Sequence, residues 1–81
     1  MAERSEFAVR NDSENEEVRG VSFEIKVGTE AVVAVSTGPG YDTYVRGPVK
    51  KMYKVTHEGE TLGYEYVVGE YPGFIPVALV E

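Results

Sequence analysis

Eighty-one residues without a single cysteine make one small domain that has no disulfide staple and no thiolate metal site. Fourteen acidic side chains against eight basic ones leave a formal charge of −6, a field that repels phosphate backbones and argues against a nucleic-acid partner. Residues 1–6 are charged and no long apolar run follows, so neither a signal peptide nor a membrane span is expected, and a cytoplasmic location fits the lack of cysteine.

Residues 1–18 read as an N-terminal arm or an added strand, and residues 19–81 as the folded domain. Phe7 and Val9 alternate with polar neighbours, after which residues 11–17 hold no apolar side chain. Asp12, Glu14, Glu16 and Glu17 in that stretch read as a solvated loop. Val21, Phe23, Ile25 and Val27 then alternate with Ser22, Glu24 and Lys26, which predicts a half-buried strand ended by Gly28-Thr29. Residues 31–35 are apolar throughout, the pattern of a strand covered on both faces or of a buried run where a barrel closes. Gly38-Pro39-Gly40 suits a type II turn, because proline presets φ at the second position and glycine accepts positive φ at the third.

Residues 52–56 predict the next strand, with Tyr53 and Val55 on one side and Lys54 and Thr56 on the other. Glu58-Gly59-Glu60 offers a hairpin turn, and residues 62–68 return with Tyr64, Tyr66 and Val68 in phase until Gly69-Glu70. Phe74 and Ile75 precede Pro76, and residues 77–80 close the pattern. No window carries apolar residues at helical spacing, and nine Gly with four Pro punctuate the chain too often for long helices. The expectation is an all-β domain, a small barrel of five to six strands, since at this size closure is the economical way to remove exposed edges.

The strand and turn of residues 34–41, the segment Gly47-Pro48-Val49-Lys50-Lys51-Met52-Tyr53-Lys54-Val55-Thr56 and the terminal Gly73-Phe74-Ile75-Pro76-Val77-Ala78-Leu79-Val80-Glu81 follow one another as in a bacterial SH3-type domain, which residues 30–81 resemble. The resemblance implies an SH3-like barrel and, by likeness to the end of eukaryotic SH3 domains, a 3₁₀ turn after Pro76 before a final Val strand. It does not extend to polyproline recognition: the chain has no Trp, and Leu79 stands where those domains carry a groove Tyr. Bacterial relatives often anchor hydrolases to the cell wall, which makes a cell-wall ligand module one further reading.

Six tyrosines are the main candidate binding material. Tyr53, Tyr64 and Tyr66 fall mid-strand and read as structural, whereas Tyr41, Tyr44 and Tyr71 flank Gly-Pro or Pro-Gly turns. With Asp42 and Phe74 these three, Tyr41, Tyr44 and Tyr71, form the expected partner-binding set. Arg46, Lys50, Lys51 and Lys54 are a basic cluster near them, with local ion pairing the expected role. His57 is the single histidine and has no nucleophile or orienting acid in a recognisable pattern. Gly38-Pro39-Gly40 lacks the Lys and Ser/Thr of a phosphate loop. The chain therefore reads as a non-catalytic interaction module for a protein or peptide, with no cofactor and no metal. An acidic inhibitor of phage or plasmid type, blocking a basic nucleic-acid-binding surface, is the alternative.

Overall fold

The computed structural model describes residues 8–81, with the side chain of Tyr41 outside that description. Among the described residues seven strands follow one another: β1 (Val9–Asp12), β2 (Val18–Arg19), β3 (Glu24–Ile25), β4 (Glu30–Gly38), β5 (Tyr41–His57), β6 (Glu60–Val68) and β7 (Tyr71–Pro76). A 3₁₀ turn over Val77–Leu79 comes after them, following Pro76. The all-β expectation holds. Five strands form one antiparallel sheet in the order β1-β5-β6-β7, with β4 also on β5, while β2 and β3 pair separately. No helix of the structure is long and apolar enough to cross a membrane.

Three two-residue turns build the sheet, each with the dihedral its glycine makes accessible. Gly40 sits at φ +79° behind Pro39, as a type II turn requires. Glu58 and Gly59 are both left-handed, at φ +52° and +81°, the signature of a type I′ hairpin between β5 and β6. Gly69, at φ +63°, takes the first central position between β6 and β7, as in type II′. The primed turns match the right-handed twist of the strands they join.

The 17 residues of β5 are the spine, and their length demands a bend. Its first half pairs with β4 as far as Pro48, and from Val49 it pairs with β6. The Gly47-Pro48 pair is thus a corner inside one strand rather than a break. Pro48 follows the Ala31↔Gly47 pair, so its nitrogen points away from β4 and no ladder bond is lost. A bulge at Lys50 completes the turn by skipping one residue between Val49↔Val68 and Lys51↔Val67. Val49 and Met52 consequently both face the core, where Met52 has no exposed surface.

The sheet does not close into a barrel, which corrects the expectation of full closure. Among the described residues the backbone of β4 pairs only with β5 and that of β7 only with β6, so β4 and β7 meet through side chains. Val18, Val33, Val68 and Ile75 fill the space between the two halves of the bent sheet. The strand expected over residues 21–27 is also revised. Val18↔Ile25 and Arg19↔Glu24 pair as a small hairpin, and Val21 lies in its turn at 90% exposure. Phe23, Ile25 and Val27 keep the inward phase and pack on the core. Residues 31–35 are not covered on both faces: Ala31 and Val33 are buried and Val35 half-buried, while Val32 and Ala34 face outward. The expected arm contributes β1, which lies along β5 from Val9↔Thr56 to Asp12↔Tyr53. Phe7 is outside the described residues.

Candidate functional site

Strand phase places the five expected binding residues. Tyr44 is opposite Ala34 and Asp42 opposite Ser36, so both side chains lie on the outer face of the β4–β5 hairpin, Tyr44 at 70% exposure. Tyr71 opposes the buried Val68 and therefore starts β7 on the core-facing side, partly exposed. Phe74 opposes Glu65 on the opposite side of β7, half exposed. The structure thus brings Asp42 and Tyr44 together and places Tyr71 and Phe74 on opposite faces of one strand. For Tyr41 only the backbone, paired with Gly38, is described.

The mid-strand tyrosines have specific partners. Tyr64 is buried and its hydroxyl donates to Glu16 Oε2 at 3.2 Å, which ties the acidic β1–β2 connection to the sheet. Burial, then the negative charge of Glu16, then that hydrogen bond raise the Tyr64 pKa above the usual tyrosine value. Tyr66 donates to the Val32 carbonyl at 3.0 Å, and burial raises its pKa as well. Tyr53 is half-buried on the outer face, beside the Arg10–Glu65 ion pair at 3.2 Å.

The basic cluster does not converge. Arg46 pairs with Glu30 at 3.8 Å on the hairpin, Lys50 occupies the bulge, and the alternation of β5 sends Lys51 and Lys54 to opposite faces. His57 is half-buried, and its Nε2 has no hydrogen-bond partner among the described residues. Among those residues no group of three or more His, Asp or Glu side chains is placed to hold a metal ion.

A different surface gathers apolar groups in a concave arrangement that the linear pattern hides. Val21, Ser22 and Phe23 from the β2–β3 turn and Ala78, Leu79, Val80 and Glu81 from the end of the described chain line one groove. Its geometry starts at Gly20. A Cβ on Gly20 collides with the Phe23 ring and with the Leu79 carbonyl, so only glycine lets the turn and the 3₁₀ segment come this close. Gly20 donates its N–H to the Phe23 carbonyl at 2.9 Å and forms a bridge with Val80, and the Glu81 N–H bonds the Arg19 carbonyl at 2.9 Å. Val21 and Leu79, the latter at 56% exposure, keep aliphatic side chains in water along this groove. The one signal in the sequence is Gly20-Val21-Ser22, a small-residue turn that reads equally as part of the alternating run.

Comparison with known protein families, with curated proteins and with solved structures returns no match for this chain.

Proposed function

We propose that this protein is a small non-catalytic interaction module that binds an apolar, basic segment of a partner protein in the groove between the β2–β3 turn and residues 78–81. The observation that carries this reading is the exposure of Val21 at 90% in a site whose wall includes the Phe23 ring. Leaving aliphatic surface in water forfeits about 25 cal/mol per Å², and a concave apolar site recovers that on binding. The partner's chemistry follows from charge. Glu81 lines the groove and the chain carries −6, while Glu24 beside it is already paired with Arg19 at 3.0 Å, so Lys or Arg beside the partner's apolar anchors is favoured by Glu81 and the net field. The fixed backbone bonds around Gly20 keep the groove preformed, which lowers the ordering cost of binding.

The test is selection from a displayed library of random peptides, followed by amide shift mapping with the peptides recovered. Enrichment of apolar and basic residues, with shifts centred on Val21, Phe23 and Leu79, is the expected result. Shifts centred on Asp42 and Tyr44 instead would move the site to the hairpin face, and recovery of no binding peptide would defeat the reading.

A second reading rests on the concave acidic connection lined by Asp12, Ser13, Glu14, Asn15 and Glu16. Its carboxylates resemble a row of phosphates, as a blocker of a basic nucleic-acid-binding surface requires. Binding of this kind is lost with added salt, because exposed charge pairs are screened over about 8 Å at physiological strength, whereas the apolar groove retains its partner.

A further inference from the structure

The sheet has three outer strands, and they are protected unequally. On β7 the closing pair Val68↔Tyr71 sets the phase, so Tyr71, Gly73 and Ile75 bond to β6 while Pro72, Phe74 and Pro76 turn their backbone nitrogens to the open side. Two of those three positions are proline, which has no N–H to offer an added strand. The β1 edge is four residues long and carries Arg10 and Asp12. The β4 edge is protected only at its ends, by Glu30 at its start and a bulge at Thr37 before the turn: between them residues 31–36 contain no charge and no proline.

The hydrogen-bond phase of β4 is set at Thr29. Val49 donates to the Thr29 carbonyl at 2.9 Å, which makes Thr29, Ala31, Val33 and Val35 the residues that bond toward β5. The alternate residues Val32, Ala34 and Ser36 point their N–H and C=O away from β5. At Val32 the carbonyl is taken by the Tyr66 hydroxyl at 3.0 Å. At Ala34 and Ser36 no partner for these groups is present among the described residues, and both residues are exposed.

We propose that this edge is the pairing surface for a second copy of the chain, joining two β4 strands antiparallel about a two-fold axis through Val35. Two outward residues separated by one inward residue are self-complementary in that arrangement: Ala34 meets Ser36 of the other copy, and Ser36 meets its Ala34, making four backbone hydrogen bonds. The side chains at the seam are small and uncharged, and Val35 meets Val35 on the core-facing side as a β-branched cross-strand pair. Tyr66 sets the limit of the ladder by occupying the Val32 carbonyl. Because each copy carries −6, pairing strengthens with salt, the reverse of an ion-pair interface.

Light scattering on the purified chain tests the proposal. A mass that rises toward the dimer with concentration, and further with added salt, is expected. Ala34→Pro removes an N–H that faces away from β5, so it abolishes dimer formation while the hairpin persists, and Ser36→Lys does the same by placing charges on the seam. Amide exchange on the wild-type chain gives an answer independent of any variant: Ala34 and Ser36 become protected as concentration rises, while Val33 and Val35 are protected at every concentration. A monomer throughout the soluble range overturns the proposal, as does a dimer that survives both substitutions or leaves the Ala34 and Ser36 amides unprotected.

Discussion

The Tyr66 ring lies across Gly73, its cross-strand neighbour on β7, and by passing over that strand its hydroxyl reaches the Val32 carbonyl on β4. A side chain thereby spans the gap that backbone pairing leaves open between β4 and β7. Gly73 is the condition for it, since any Cβ there occupies the space of the ring. Gly63 and Phe74 repeat the arrangement on the other face, where the ring covers the glycine opposite Val55. Val55 is accordingly buried although it stands outside the main core.

Gly73→Ala is expected to destabilise the protein by about 1–3 kcal/mol, by forcing the ring off its strand. Tyr66→Phe costs about 0.5–1.5 kcal/mol through the lost hydrogen bond. Urea unfolding of both single variants and the double variant checks the mechanism. If the ring's path over Gly73 is what positions the hydroxyl, the two losses are less than additive.

Alkaline pH tests the burial of Tyr64 and Tyr66. The unfolded chain ionises at the ordinary value of 10.0, whereas folded Tyr64 and Tyr66 hold their protons above it. Their contribution to stability is therefore complete below pH 10.0 and is lost as pH rises from there through the folded values. Phenolate absorbance followed against pH is expected to show a part of the signal that ionises above 10.0 in the folded protein and shifts down to it on unfolding. Glu16→Gln brings the Tyr64 pKa down toward the ordinary value, while burial keeps it raised.

The turns differ in how well their residues suit them. Glu58 is a non-glycine residue in the left-handed region, where Asn is better tolerated, so Glu58→Asn is expected to stabilise the protein by roughly 0.5–1 kcal/mol. Gly40→Val has the opposite sign and costs about 1–3 kcal/mol. Nothing lies within 4 Å of a Cβ at Gly40, so backbone strain at φ +79° is the whole cause. Thermal melting of the two variants reads both effects.

Met52→Ala removes the most completely buried side chain and is expected to cost about 2–5 kcal/mol. For a chain of this length total stability scales to about 4–12 kcal/mol, so the variant is expected to be partly unfolded at moderate temperature. Loss of the cooperative melting transition is the readout.

Local rules were sufficient wherever one residue type has one physical use. Gly40 behind Pro39, Gly59 behind Glu58 and Gly69 before Glu70 mark the three hairpin turns, because positive φ excludes most alternatives. The alternation of Tyr64, Tyr66 and Val68 marks β6, because large apolar side chains at period two put one face of the strand on the core. The same rules misplaced Val21, whose apolar side chain continues a period-two run but stands in a turn, since a two-residue hairpin leaves too short a ladder to enforce phase. Val18 shows the converse: it follows an acidic stretch, yet it is buried because β2 carries it under the sheet.

Composition and turn chemistry by themselves determined that this chain is all-β, acidic and punctuated by tight hairpins, because those properties depend on residues adjacent in the chain. Tertiary structure alone decided that the sheet stays open, that Phe23 and Leu79 border one groove, and that the outward backbone groups of Ala34 and Ser36 have no partner among the described residues. Each of these depends on contacts between residues far apart in sequence, and a glycine that lets a ring lie flat over a neighbouring strand gives no sign of it in its own vicinity.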